Sequence, residues 1–144
     1  MTDRYPLAIA KAGPDGPFKA STTLDRLTAT APAAQREMAY IETDYTLAVE
    51  GASRALAASS RDADPRVYWL AGKALHDLLV RISDLGFYLV HQNRTLARDL
   101  GISESSVSKL IAFCKRFPAV SLVDPSVPWS RYRANKVPRR GASY

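Results

Sequence analysis

The side chains with the chemistry of a nucleophile, a proton carrier or a metal ligand are not arranged in this sequence in any recognisable catalytic or metal-binding set. Cys114 is the only cysteine, and a lone small thiol in a helix-forming run reads as core filler rather than as a reactive group. It leaves nothing to form an intrachain disulfide or a cysteine-rich zinc cluster, which fits a reducing, cytoplasmic setting. His76 and His91 are far apart and lack companion ligands, so they read as solvated or core-edge imidazoles rather than as a metal pair. No paired acid and base and no phosphate-cradling glycine loop accompany them. The expectation is therefore a protein that is not an enzyme and needs no cofactor or metal. What remains is cationic chemistry. The 144 residues carry 20 Lys and Arg against 14 Asp and Glu, a formal net charge of +6. Residues 1–65 hold 7 basic and 9 acidic side chains, and residues 66–144 hold 13 and 5. From Lys109 onward, Lys109, Lys115, Arg116, Arg131, Arg133, Lys136, Arg139 and Arg140 meet Asp124 alone. That arrangement suits an acidic partner, nucleic acid foremost.

The elements that must position these charges can be read from punctuation and periodicity. Pro6, Gly13, Pro14, Gly16, Pro17 and Pro32 break up residues 1–32, which read as a flexible N-terminal arm whose Lys11 and Lys19 can brush phosphate. Residues 33–58 are a strong helix former. Met38, Ile41, Tyr45, Ala48, Ala52 and Ala55 recur at steps of three and four, widened by Leu47, Val49 and Leu56. Such a stripe serves equally as a dimer seam or as intrachain core, and the 33–64 segment is a candidate dimerisation surface. Gly51 weakens the middle of this helix relative to alanine. A polar linker then ends at Asp64 and Pro65, a helix cap and a first-turn proline. The next helix spans about 65–84 with Tyr68, Ala71, Leu75, Leu78, Leu79, Ile82 and Leu85 on one side and Gly86 as its stop. Residues 87–91 are short and apolar, either a strand or a last helical turn.

The stretch NRTLARDLGISESSVSKLI at 93–111 contains two short helices about a sharp turn. The first covers 94–100 and the second starts at Glu104 and runs to about 117. Asn93 and Ser103 have the chemistry of helix caps, and Gly101 suits the left-handed backbone of a tight turn. Ala97 is small where the helices cross, and Leu96, Leu100, Ile102, Val107 and Leu110 point inward. This pattern resembles the helix-turn-helix of phage Cro and repressor proteins. Ala97 stands four places before Gly101, Val107 six after it, and Leu110 supplies the next apolar lock. The resemblance implies that the second helix enters the DNA major groove, with Ser103, Glu104, Ser105, Ser108 and Lys109 facing the bases. Glu104 is discordant beside DNA and is better explained by the helix dipole at that N-terminus. Phosphates would fall to Arg94 and Thr95, to Lys115 and Arg116, and to a basic tail of Arg131, Arg133, Lys136, Arg139 and Arg140.

A second resemblance covers 66–136. Tyr68, Trp69 and Gly72, the paired helices, then Phe113, Phe117, Pro118, Pro128, Trp129 and Tyr132 are similar to a helical N-terminal domain of bacterial proteins. In that family it precedes a nuclease domain of the restriction-endonuclease type. Nothing here matches a nuclease acid cluster, so the resemblance implies the binding module alone. The segment at 120–128 has the makings of a β-hairpin wing turning at Asp124 and Pro125. Trp129 and Tyr132 read as anchors for the chain end, ahead of a role in stacking on unpaired bases.

The expected fold is mainly α, a helical domain with a helix-turn-helix at 65–136, a small β-hairpin wing as an option, and a basic tail at 137–144. The expected function is a sequence-specific transcriptional regulator, for example a repressor from a bacterium or mobile element, acting as a homodimer on double-stranded DNA. Neither a membrane nor a small-molecule ligand is an expected partner: no apolar run approaches the roughly 20 residues of a membrane helix, and no secretory signal is evident. The alternative is a protein-interaction antagonist of another regulator that keeps the fold without binding DNA, which Glu104 and the serine-rich face favour.

Overall fold

Leu7 and Ile9 are buried while Ala8 and Ala10, which follow each of them, are exposed, the period-two pattern of a half-buried strand. A computed structural model describes residues 5–11, 13–22, 31–58 and 64–137 of the chain. Its elements in order are β1 (Tyr5–Lys11), β2 (Phe18–Ser21), α1 (Ala31–Ala57), α2 (Arg66–Asp84), β3 (Phe87–Leu89), α3 (Gln92–Leu100), α4 (Glu104–Arg116), a short 3-10 turn (Val120–Leu122) and α5 (Trp129–Arg133). The fold is mainly α-helical with one small sheet of order β2-β1-β3.

The sheet corrects the reading of 1–32 as a flexible arm over the residues described there. β1 and β2 form an antiparallel hairpin with Ile9 opposite Ala20. It is closed by a turn in which the Gly16 N–H donates to the Gly13 carbonyl at 3.1 Å around Pro14 and Asp15. β3 runs parallel to β1, Leu7 opposite Leu89, so residues 87–89 are a strand and not a last helical turn. Leu7, Ile9 and Phe18 are buried in the main core, which supplies the burial that a free arm would lack. The Ala20 N–H donates to Glu42 Oε2 at 2.8 Å and ties the hairpin to α1.

The α1 stripe is intrachain core. Ile41, Tyr45, Ala48 and Ala52 are buried against the rest of the chain, with Met38 and Ala55 packed at the edge. Leu47, read as widening that stripe, instead points away and is 58% exposed. α2 starts where expected: Asp64 Oδ1 accepts the Arg66 N–H at 3.0 Å, and Pro65 already has helical angles. Gly86 ends the turn after α2 with φ +89°.

α2 crosses α4 at Gly72, where a Cβ would lie 2.2 Å from the Leu110 carbonyl oxygen. Only glycine fits a backbone approach this close. A second cluster of Trp69, Phe113, Cys114, Phe117, Val123 and Tyr132 closes the other end of these helices. The Trp69 Nε1–H donates to the Phe117 carbonyl at 2.6 Å, fixing the end of α4 on α2. Cys114 is buried, and burial pushes its thiol above the ordinary range, so it packs as filler. Tyr132 anchors α5 on the core: its hydroxyl accepts the Asp124 N–H at 2.8 Å, and its ring tilts on Phe113 at 5.0 Å.

No wing forms at 120–128. That segment holds the 3-10 turn and a tight turn in which the Val127 N–H donates to the Asp124 carbonyl at 3.1 Å. Pro125 and Pro128 lack the N–H groups that a strand ladder needs, and the Asp124 N–H is already taken by Tyr132. The expected turn at Asp124 and Pro125 is present, without strands on either side.

Candidate nucleic-acid interface

Three residues separate α3 from α4, and each has a defined job. Gly101 is left-handed at φ +69°, and its N–H donates to the Ala97 carbonyl. The Ile102 N–H reaches the same carbonyl at 3.1 Å. Ser103 caps α4: its Oγ accepts the Ser106 N–H at 3.0 Å and donates to Ser106 Oγ at 2.9 Å. Leu96, Ala97, Val107 and Leu110 are buried between the helices, and Leu100 and Ile102 pack at the rim.

The start of α3 differs from expectation. Asn93 is not the cap. The helix begins at Gln92, preceded by His91 in the left-handed region at φ +47° with no side-chain cap. Gly86, β3 and His91 together turn the chain from α2 through the sheet into α3. The Thr95 N–H donates to the His91 carbonyl at 2.8 Å, and its hydroxyl donates to the Val90 carbonyl at 3.3 Å. Thr95 is thus buried and engaged with backbone, which removes it from the residues expected to meet phosphate.

α3 is fixed to the rest of the molecule by a polar cluster that the sequence did not reveal. Tyr45 Oη donates to Asp99 Oδ2 at 2.5 Å, and Arg98 grips the same carboxylate through Nε at 2.9 Å and Nη2 at 3.0 Å. Arg98 Nη2 also donates to the Ile9 carbonyl at 2.8 Å. The Asp99 carboxylate is almost wholly enclosed, at 4% exposure, while Arg98 reaches solvent. Burial, reinforced by the hydrogen bond to Asp99, pushes the Tyr45 phenol well above the tyrosine range.

With its inner side packed, α4 leaves one exposed strip. Ser105, Ser108, Lys109, Ala112 and Lys115 are all exposed, and at 3.6 residues per turn they fall within an arc of roughly 120°. Ser103 and Glu104 are exposed at its N-terminal end, so all five residues expected to face bases are on the surface. Ser103 commits its proton and one lone pair to the cap and has less to offer than Ser105 and Ser108. Glu104 lies in the first turn of α4 and lines a shallow groove of about 350 Å³ with His91, Gln92, Asn93 and Arg94. A second groove of about 720 Å³ runs between α4 and α5, lined by Ser105, Ser106, Lys109, Trp129, Ser130, Arg133 and Ala134. Sequence reasoning missed the part taken by α5 in that groove. The alternation of Trp129 and Tyr132 with Arg131 and Arg133, at helical spacing, was the available signal.

The remaining basic residues divide by pairing. Arg66 pairs with Asp64, Lys73 with Asp77, Arg81 with Asp44 and Arg98 with Asp99. Among the described residues, Arg94, Lys109, Lys115, Arg131, Arg133 and Lys136 make no ion pair, and all are exposed. Arg116 departs from expectation: it is half-buried, its Nη2 donates to the Val137 carbonyl at 3.0 Å, and its Nε is enclosed without a partner. It holds Val137 instead of offering a free cation. Arg139 and Arg140 lie outside the described residues. Among the described residues no group of three His, Cys, Asp or Glu side chains could hold a metal, and no helix is long and apolar enough to cross a membrane.

Comparison with known protein families, characterised proteins and solved structures finds no match to this chain.

Proposed function

We propose that the chain is a sequence-specific DNA-binding regulator in which α4 reads the major groove and the unpaired cations around it grip phosphate. The observation that carries this reading is the division of basic residues. Between 66 and 137, the arginines and lysines without an intramolecular ion pair or hydrogen bond, Arg94, Lys109, Lys115, Arg131, Arg133 and Lys136, are exposed and lie on or beside α3, α4 and α5. Unneutralised cations around a strip of hydroxyl groups suit a polyanion whose edges carry both donors and acceptors. The spacing of Ala97, Gly101, Val107 and Leu110 supports the helix-turn-helix reading of the α3 and α4 pair. Ser105, Ser108 and Lys109 are the base-reading set, with Glu104 serving the helix dipole. Arg94, Lys115, Arg131, Arg133 and Lys136 are the phosphate set.

Regulation follows by occupancy, with a dimer on two half-sites blocking or recruiting polymerase. Because the inner stripe of α1 is used within the chain, the dimer surface is its outer side, where Tyr40 and Leu47 stand one heptad apart and exposed. The deciding experiment is a mobility shift with a random duplex at 50 and 200 mM salt, followed by selection of bound sites from a random pool. Neutralising about six phosphates predicts a loss of about three powers of ten in affinity between those salts. Lys109→Ala with Ser105→Ala should relax the selected consensus, whereas Arg94→Ala or Lys115→Ala should weaken all sequences alike and lower the salt slope by about one each. No binding at low salt overturns the DNA reading in favour of a protein-interaction role.

A further inference from the structure

Behind the α4 and α5 groove is a smaller and more enclosed cavity of about 250 Å³, which shares Ser106, Trp129 and Arg133 with it. Its walls are Leu56 of α1, Ile102 of the turn, Leu110 of α4, and the rings of Tyr68 and Trp129. These rings stack in parallel, 4.6 Å apart and 7° from coplanar. The cavity is therefore mainly apolar, with Ser106, the Arg133 guanidinium, the Tyr68 hydroxyl and the Trp129 N–H as the polar side-chain groups among its lining residues. Lys109 adds a second cation in the adjoining groove, and among the described residues no carboxylate lines either space. Arg133 makes no ion pair among the described residues, so its charge is uncompensated at the boundary between an apolar pocket and water. Ser106 Oγ accepts from Ser103, which leaves its own proton to donate.

We infer that this cavity is a binding site for a small planar aromatic carboxylate. The ring system would lie against Leu56, Ile102, Leu110 and the Tyr68 and Trp129 pair, and the carboxylate would meet Arg133, with Ser106 as a further donor. A volume below the roughly 300–1,000 Å³ usual for drug-sized ligands suits one or two fused rings and excludes a dinucleotide. Planar bidentate pairing with a guanidinium selects a carboxylate over a neutral polar group. The site itself does not depend on DNA binding. Its effect on DNA rests on the function proposed above: the ligand would take Arg133 from a phosphate and press on the turn that sets α4.

The test is calorimetric titration of the full chain with 2-naphthoate and, separately, with the neutral 2-naphthalenemethanol. Saturable one-to-one binding of the acid, at least tenfold tighter than the alcohol, is expected. Arg133→Gln changes an exposed side chain and should bring the two ligands to equal affinity, and Leu56→Trp should fill the cavity and weaken both. Thermal melting of each variant separates a lost site from a lost fold. The inference is overturned by an absence of saturable binding up to millimolar acid, by equal binding of acid and alcohol to the parent chain, or by a preference that survives in a folded Arg133→Gln variant. A duplex arm distinguishes the two proposals: displacement of bound duplex by naphthoate supports their coupling. A chain that binds naphthoate but never a duplex retains the site and loses the DNA reading.

Discussion

Gly72 and Tyr45 each hold one helix of the α3 and α4 pair, Gly72 through its close approach to Leu110 of α4 and Tyr45 through its hydrogen bond to Asp99 of α3. At Gly72 a methyl group would collide with the Leu110 carbonyl at 2.2 Å, and backbone cannot yield as a side-chain tip does. Gly72→Ala should therefore push α4 away from α2 and destabilise the fold by about 1–3 kcal/mol, the usual cost of overpacking. Urea denaturation would show it, and an unchanged midpoint would contradict the packing described. Among the described residues, Tyr45 is the donor from α1 to the enclosed Asp99 carboxylate. Removing its hydroxyl as Tyr45→Phe should cost about 1–3 kcal/mol at neutral pH. The folded state holds the phenolic proton more tightly than the unfolded chain does, so this stability is complete below about pH 10, where a free tyrosine titrates. It drains as pH rises past that value. Urea midpoints measured from pH 8 to 11 should fall more steeply for the parent than for Tyr45→Phe, and parallel curves would remove Tyr45 from the account. Neither role was legible in the sequence. Tyr45 was readable as a buried position in a helical stripe but not as a hydrogen-bond donor, and Gly72 was a landmark whose reason appears only when Leu110 of another helix is set beside it.

Among the elements, α4 was the most legible because its start is written locally. Ser103 caps, Glu104 follows in the first turn, and Val107, Leu110 and Cys114 keep a helical period. Ser103→Ala should lower stability by about 1 kcal/mol and fray the first turn that carries Glu104 and Ser105, while Ser103→Asp should restore the cap. Amide exchange at Ser106 reads this directly, and equal protection in the alanine variant would count against the cap. The same local logic failed at α3. Asn93 has a capping side chain, but the helix starts earlier because β3 delivers the chain through a left-handed His91, a condition set by the sheet. The proposed wing failed for a related reason. Val120, Leu122 and Val123 look like strand residues, yet among the described residues no strand pairs with them, and Tyr132 takes the backbone donor of Asp124.

At the scale of the whole molecule, the charge asymmetry in the sequence was informative, whereas the place of the N-terminus was obscured by its prolines and glycines. Tyr5, Leu7 and Ile9 already alternate, and Pro14, Asp15 and Gly16 already spell a turn. The signal was short, and the strand that completes the sheet, β3, lies 76 residues beyond the end of β1. Such distant pairing leaves no trace in local composition. The two readings of residues 1–22 differ in a way that can be measured. A flexible arm is dispensable, so its deletion would leave the melting temperature unchanged and affect DNA, if at all, only through Lys11 and Lys19. A central strand is not dispensable. Deleting residues 1–22 removes both β1 and β2, leaves β3 without its partner strand, strips Phe18 from the Tyr45 ring, and takes away the Ile9 carbonyl that receives Arg98. The fully buried Leu7 alone contributes about 1.5–3 kcal/mol of apolar burial, a large fraction of the roughly 5–15 kcal/mol that holds an ordinary domain together. The truncated chain should lose its cooperative thermal transition by circular dichroism, and Leu7→Ala in the full chain should lower the midpoint while leaving the transition intact. A truncated chain that melts at the parent's temperature would return the N-terminus to the status of an arm and leave α3 without the support that the Arg98 and Ile9 contact gives it.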